Sequence, residues 1–106
     1  MNHDDFFRIK QFIRVSQELE TLLGVTSLQK KILLALLDLW NKENHLISVG
    51  TLASSVQNVS ERSVYRHLEA LVHLNWIKMT RDKHDGRIKL VTPTPRLLKV
   101  LSTELQ

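Results

Sequence analysis

The sequence SVGTLASSVQNVSERSVYRHLEALVHLN, residues 48–75, is the part of the chain that says most about its architecture. Its first part predicts a short helix that opens at Ser48 or Val49 and runs to Val56, and polar residues 57–58 break that helix. Ser60 then begins a longer helix, predicted over residues 61–75. Its inward apolar positions are Val64, Leu68, Leu71, Val72 and Leu74. Two helices joined by a tight turn of a few residues form a helix-turn-helix unit.

Two more helices are predicted on the amino-terminal side. Residues 4–23 carry apolar side chains at three- and four-residue steps, which is one stripe of a helix that Gly24 ends. Thr26 or Ser27 is placed to cap the next helix, residues 28–42. This helix is apolar on nearly every side, so we expect neighbours on two of its faces and a central place in the fold. Residues 46–48 are predicted to be extended.

After residue 75 the apolar period changes from about 3.6 to about 2, which predicts strands. The strands are expected over residues 76–81 and 88–92, and the polar loop between them contains Gly86. They form a β-hairpin with a charged tip. Pro93 and Pro95 end the second strand, and Pro95 suits the first turn of a last helix over residues 96–105.

This order of elements predicts a mainly α protein with a small β-hairpin, which is the winged helix-turn-helix architecture. A length of 106 residues fits one domain, at about 100 to 200 residues per domain. We therefore predict a single domain over residues 1–106. It divides into an amino-terminal helix (1–23), the helix-turn-helix with its wing (27–92) and a carboxyl-terminal helix (95–105).

The composition argues against catalysis and metal binding. The chain has no cysteine, which excludes disulfides, thiolate nucleophiles and sulfur-ligated zinc. The histidines lack H-E-x-x-H spacing, the serines lack a Gly-x-Ser-x-Gly turn, and the glycines form no phosphate-binding loop. We expect no enzyme, no metal and no cofactor.

The longest apolar run, ILLALLDLW at residues 32–40, is far shorter than the roughly 20 residues that span a bilayer. The first residues, MNHDDFFRIK, carry acids where a signal peptide carries bases. We expect a soluble cytoplasmic protein that has no membrane partner.

The positive charge is confined to one part of the chain. The formal net charge is +4, yet residues 1–59 contain six Lys or Arg and six Asp or Glu. Residues 60–99 contain nine basic and four acidic side chains. A localised basic excess suggests a polyanion as partner, and the alternative is a solvated face whose charges serve solubility.

The residues also resemble a known family. SERSVYRHLEAL at residues 60–71, Trp76-Ile77, Asp85-Gly86-Arg87 and IKLVTPTP at residues 88–95 are similar, in this order, to MarR-type winged-helix transcription regulators. The resemblance covers about residues 27–105 and implies a homodimer that binds double-stranded DNA and regulates transcription. Asn75 stands where that family often has glycine, and residues 96–105 are shorter than the helical pair that usually completes the family's dimer.

The outward arc of the second helix of the unit carries the candidate base contacts, because the first residues of this helix enter the major groove in helix-turn-helix proteins. Arg66 matches the arginine of the family motif and could bond guanine in a fork. Its alternative is a surface ion pair with Glu61 or Glu69. The other candidates are Arg62 and Ser63 for bases or phosphate, Tyr65 for a thymine methyl or phosphate, and Ser60 for a phosphate or only for the helix cap.

The wing supplies the candidate backbone and minor-groove contacts, which are Arg81, Lys83, His84, Arg87 and Lys89. The resemblance implies that Asp85 orients Arg87 and does not touch DNA. The alternative is a solubilising loop. By analogy alone, Thr51 is a phosphate contact.

The terminal helices carry more apolar positions than one face of each requires, which predicts a two-fold interface. The candidate dimerisation residues are Phe6, Ile9, Phe12, Ile13, Leu98, Leu101 and Leu105. The alternative is that both helices wrap the apolar second helix.

A different class of function also remains: a winged helix that binds a protein partner or acts as an adaptor. Such a protein should show apolar anchors on the outward arc, where this sequence has Arg62, Ser63, Tyr65 and Arg66.

Overall fold

The computed structural model describes residues 17–42 and 47–104. Helical residues 17–23 form α1. They are followed by α2 (Ser27–Lys42), β1 (Ile47–Ser48), α3 (Val49–Ser55), α4 (Glu61–His73), β2 (Ile77–Arg81), β3 (Lys89–Pro93) and α5 (Pro95–Glu104). The predicted winged helix-turn-helix architecture is confirmed: α3 and α4 form the helix-turn-helix, and β2 and β3 form the wing.

The sheet connects the wing to the helix-turn-helix. Its three strands are antiparallel in the order β1-β3-β2, with Ile47 opposite Val91 and Ile77 opposite Pro93. Because β1 runs directly into α3, β1 fixes the start of the helix-turn-helix beside the wing. The second wing strand was predicted to stop at Thr92 but includes Pro93. This proline lies beyond the end of β1, where the sheet has two strands, and a missing N–H is tolerated at such an edge.

The core centres on α2, as predicted. Ile32, Leu33 and Leu36 are almost fully buried, and α2 contacts α3, α4, β1 and β3. The covering is less complete than the sequence indicated, since Leu34 is 38% exposed.

The inner side of α4 is narrower than predicted. Val64, Leu68 and Leu71 are buried, whereas Val72 and Leu74 are 40% and 37% exposed. Val72 lies about 100° around the helix from Leu71, and Leu74 follows the last helical residue, so neither continues the buried stripe. Their assignment to the core was wrong.

Short polar side chains cap the amino-terminal ends of three of the helices. Thr26 accepts a hydrogen bond from the Gln29 amide at 3.1 Å, and Gln29 Oε1 accepts one in return from the Thr26 amide at 3.0 Å. This reciprocal pair is a capping box at the start of α2. Ser48 caps α3 by accepting from the Thr51 amide, and Ser60 caps α4 by accepting from the Ser63 amide, each at 3.1 Å.

Two helices end in the same left-handed motif. Gly24 has φ of 67°, and the Val25 amide donates to the Glu20 carbonyl at 3.0 Å. Asn75 has φ of 64°, and the Trp76 amide donates to the Leu71 carbonyl at 3.1 Å. Both are Schellman ends, for which glycine is most common and asparagine is tolerated. Helix α4 therefore stops at His73, two residues earlier than predicted, and Asn75 takes over the role of a glycine.

Candidate nucleic-acid interface

The amino-terminal half of α4 presents two arginines outward. Arg62 and Arg66 are exposed and lie one helical turn apart, while Val64 and Leu68 bury the opposite side. A shallow depression, the helix groove, is lined by Ser60, Arg62, Ser63 and Arg66. Within residues 17–42 and 47–104, Arg66 has no ion pair, so the predicted alternative of a bridge to Glu61 or Glu69 is not present. Its guanidinium is available to a ligand.

A second depression joins α3, α4 and the wing. This wing groove is lined by Ser48, Val49, Gly50, Glu61, Tyr65, Arg87, Ile88 and Lys89. It brings together predicted contacts that are more than twenty residues apart in sequence, such as Tyr65 and Arg87. Helix α4, which we call the recognition helix, and the wing therefore border one shared groove.

A third depression, the sheet groove, lies between α4 and the strands of the wing. It is lined by Tyr65, Glu69, Met79, Thr80, Arg81 and Lys89. Arg81 and Lys89 are paired across β2 and β3, which places two cations side by side. Glu69 is the one acid in this groove and lowers its positive potential.

Tyr65 is half-buried against the core, unlike a residue of a fully outward arc. The Lys89 ammonium lies 5.5 Å from the centre of its ring, within the range of a cation–π contact. Tyr65 therefore connects the recognition helix to the wing, a role that its sequence context did not indicate.

Hydrogen bonds close the wing tip around Asp85 and Arg87. The Arg87 Nε donates to Asp85 Oδ1 at 3.1 Å, and Nη2 donates to Oδ2 at 3.2 Å. The Arg87 amide also donates to Oδ1 at 3.1 Å. The side-chain bonds from Arg87, followed by this amide, lower the pKa of Asp85 below its usual value. Asp85 orients Arg87, as the resemblance implied.

The remaining predicted contacts are exposed but lie outside the three grooves. Lys83 and His84 stand at the wing tip, where the His84 amide donates to Asp82 Oδ1 at 2.7 Å. Thr51 is exposed in the first turn of α3, and its hydroxyl accepts a hydrogen bond from the Ser48 hydroxyl at 2.9 Å. Ser60, which lines the helix groove, already uses its hydroxyl oxygen to cap α4.

The predicted dimerisation residues are only partly described. Phe6, Ile9, Phe12, Ile13 and Leu105 lie outside the described residues. Leu98 is half-buried and Leu101 is 9% exposed. In the described ranges there is no group of three or more potential metal ligands, and no helix there has the length and hydropathy to cross a membrane.

The role of Arg96, which was counted with the basic excess, was not predicted from the sequence. Arg96 Nη1 donates to the Leu74 carbonyl at 3.0 Å, and its guanidinium carbon lies 4.2 Å from the centre of the Trp76 ring. The hydrogen bond spans 22 residues, so no local periodicity could have indicated it. Its one sequence signal is an arginine directly after Thr94-Pro95, where α5 starts.

Comparisons with known proteins agree with this geometry. The helix-turn-helix domain family matches residues 23–77. No curated protein sequence matches the chain. Among solved structures, an S. aureus MepR variant bound to an oligodeoxyribonucleotide is 20% identical, with coverage of 99% of this chain and 75% of the other and a TM-score of 0.72.

Two further solved structures share this fold. The S. aureus MepR–DNA complex is 17% identical over 95% of this chain and 73% of its own, with a TM-score of 0.70. Reduced AbfR bound to DNA is 19% identical over 96% of this chain and 71% of its own, with a TM-score of 0.66. MepR and AbfR are MarR-family winged-helix regulators, so the predicted resemblance to the fold of that family is confirmed.

Proposed function

Because the chain belongs to the helix-turn-helix domain family, we propose that it binds double-stranded DNA and acts as a MarR-like transcription regulator. The observation that carries this proposal is the pair Arg62 and Arg66, exposed on the amino-terminal half of α4. The wing bases border the same surface through the wing and sheet grooves. MepR and AbfR, which share the fold, have been solved with DNA.

In the proposed complex the start of α4 enters the major groove. Arg66 reads a base edge, and guanine is the partner that a guanidinium fork fits best. Arg62 and Ser63 contact a base or a phosphate beside it. Ser60 and Thr51 supply hydroxyls to the adjoining phosphates.

The wing follows the DNA backbone in this arrangement. Asp85 orients the exposed Arg87 through hydrogen bonds, and Arg87 inserts into a narrow minor groove. Arg81, Lys83, His84 and Lys89 neutralise phosphates on the same side. The exposed side of the amino-terminal half of α4 offers Arg62 and Arg66 where a protein-binding winged helix would offer apolar anchors, which favours nucleic acid over a protein partner.

The regulator is expected to work as a cytoplasmic homodimer without catalytic activity. Its interface would combine the half-buried Leu98 with the apolar residues at positions 6, 9, 12, 13 and 105, whereas Leu101 is already buried in the core of the single chain. A two-fold dimer would recognise a pseudo-palindrome whose half-sites are about 34 to 36 Å apart. Sedimentation that shows a monomer at micromolar concentration would contradict this part of the proposal.

Binding to random genomic fragments at several salt concentrations tests the main proposal. The logarithm of the affinity should fall linearly with the logarithm of the salt concentration, with a slope of about −0.9 per neutralised phosphate. Arg87→Ala should weaken binding to all fragments, and Arg66→Ala should weaken it on the fragments that contain a preferred base pair. Lys31→Ala serves as the control, because Lys31 is exposed on α2 and lines none of the three grooves. No binding at low salt, or affinity untouched by both substitutions, would exclude DNA as the partner.

A further inference from the structure

Arg96 of helix α5 contacts the carboxyl end of α4. Arg96 Nη1 donates to the Leu74 carbonyl at 3.0 Å, and Leu74 is the C-cap residue of α4. The same guanidinium stacks over the Trp76 ring, 4.2 Å from its centre. A helix carboxyl end carries partial negative charge and unpaired carbonyls, so a cation there gains from the hydrogen bond and from the dipole.

Trp76 extends this contact to α1. Its side chain is 5% exposed, and its indole Nε1 donates to the Leu23 carbonyl at 2.8 Å. The ring is therefore fixed by its edge to the end of α1 and covered on its face by Arg96. A planar guanidinium can stack and donate at the same time, which an ammonium cannot do.

Thr94 adds a second link between the same segments. Its hydroxyl donates to the Asn75 carbonyl at 2.9 Å, and its amide donates to the Trp76 carbonyl at 3.0 Å. The Thr94 hydroxyl also caps α5 by accepting from the Leu97 amide at 3.2 Å. Residues 94–96 and 74–76 are thus joined by several direct contacts at the junction of α1, α4 and α5.

We propose that Arg96 is a positioning residue that fixes the carboxyl end of the recognition helix α4 against α5. The angle at which α4 projects from the rest of the domain then depends on this junction before any DNA is bound. Part of this inference, the effect on DNA, rests on the proposed function; the coupling of the two helices does not.

A direct contact from Arg96 to DNA does not fit the geometry. Helix α4 has 13 residues, so its carboxyl end lies about 20 Å from Ser60, where the helix is proposed to enter the groove. One donor of the guanidinium is already committed to Leu74, and one face is covered by Trp76. Arg96 therefore adds to the net charge of the chain without adding to the proposed DNA surface.

The test combines amide hydrogen exchange with DNA binding for Arg96→Ala, Arg96→Lys and the control Lys31→Ala. In Arg96→Ala, the amides of Leu74, Asn75 and Trp76 should exchange about tenfold faster, the factor expected when one charge-assisted hydrogen bond is lost. Arg96→Lys should give an intermediate increase, because it keeps the charge but not the stacking. The control should leave these amides unchanged.

In the DNA arm, Arg96→Ala should lower affinity several-fold while the slope against salt stays that of the parent. A slope that becomes shallower by about 0.9 would show a phosphate contact instead and overturn the positioning role. Unchanged exchange at residues 74–76 in both Arg96 variants would overturn the proposal outright. If the parent binds no DNA at low salt, the proposed function fails, and the exchange data alone decide whether Arg96 couples the helices.

Discussion

Lys89 of the wing lies over the ring of Tyr65 on the recognition helix, with its ammonium 5.5 Å from the ring centre. The two proposed DNA-reading elements therefore touch each other before they touch a ligand. Both residues also line the wing and sheet grooves, so these two surfaces meet at this contact. The sequence had placed each of them against DNA separately.

Two substitutions of Tyr65 should separate the contribution of its ring to stability from that of its hydroxyl. Tyr65→Phe keeps the ring and its contact with Lys89, so the free energy of unfolding should change by less than about 0.5 kcal/mol. Tyr65→Ala removes a half-buried ring and should cost about 2 kcal/mol. Urea unfolding of both variants measures the difference. An equal loss in the two would mean that the hydroxyl, and not the ring, carries the contribution.

Arg66 should determine sequence preference more than general affinity. Selection of binding sites from a random pool, followed by binding to preferred and scrambled duplexes, measures the ratio of the two affinities. Arg66→Ala should reduce the preference for the selected base pair by about 1 to 3 kcal/mol, because a guanidinium fork on a guanine is lost. Lys31→Ala should leave the ratio unchanged. A uniform loss on every sequence would identify Arg66 as a phosphate contact.

The pair of Asp85 and Arg87 should be sensitive to acid. Because Arg87 lowers the pKa of Asp85 in the folded chain, the ion pair between Asp85 and Arg87 is fully formed above the ordinary pKa of an aspartate. It is lost as the pH falls through the lowered value. NMR of the Asp85 carboxyl carbon measures this pKa. In the parent the pKa should lie below that of an unpaired aspartate, and in Arg87→Ala it should be higher than in the parent.

Removing the acid itself gives the matching functional test. Asp85→Ala raises the net charge, so simple electrostatics predicts tighter DNA binding. The orienting role predicts weaker binding, because Arg87 loses its three hydrogen bonds to Asp85. Tighter binding by Asp85→Ala at neutral pH would contradict the orienting role.

Ser60 offers a way to separate helix capping from phosphate contact. Ser60→Ala should destabilise the fold by about 1 kcal/mol, since the Ser63 amide loses its acceptor. Ser60→Asp preserves the cap and should keep the stability of the parent. Its added negative charge should still weaken DNA binding if a phosphate approaches the start of α4. Thermal unfolding measures the effect on stability, and the affinity for a random duplex measures the effect on DNA binding.

Asn75 should tolerate glycine better than alanine. Its φ of 64° lies in the left-handed region, where a residue that has a Cβ but lacks the polar side chain of asparagine pays about 1 to 2 kcal/mol. Asn75→Ala should therefore lower the free energy of unfolding by about 1 kcal/mol. Asn75→Gly should match the parent or exceed it. Denaturant unfolding compares the three proteins, and equal stability for alanine and glycine would argue against strain at this position.

The elements that the sequence predicted correctly are those with local causes. The change of apolar period after residue 75 marks the wing, and Thr26, Ser60 and Gly24 mark helix boundaries through hydrogen bonds to residues at most four positions away. The order of these elements was enough to indicate a winged helix. Arg62 and Arg66 were placed outward because Val64 and Leu68 must point inward.

The features that the sequence did not indicate depend on distant partners. Trp76 meets the Leu23 carbonyl across 53 residues, and Arg96 meets the Leu74 carbonyl across 22. Charge counting included Arg96 in the basic excess, because a single sequence does not show which carbonyls a base will reach. The early end of α4 was missed for a related reason: asparagine can continue a helix or adopt positive φ, and the packing of Trp76 favours the second.

The buried indole of Trp76 also makes this junction visible to spectroscopy. The chain has two tryptophans, and the other, Trp40, is only half-buried on α2. In a Trp40→Phe background, the intrinsic fluorescence would come from one ring that α1, α4 and α5 all hold. Loosening of α5 would change the emission at that ring. The protein therefore carries its own optical reporter for the attachment of its recognition helix, and no external label is needed to follow it in solution.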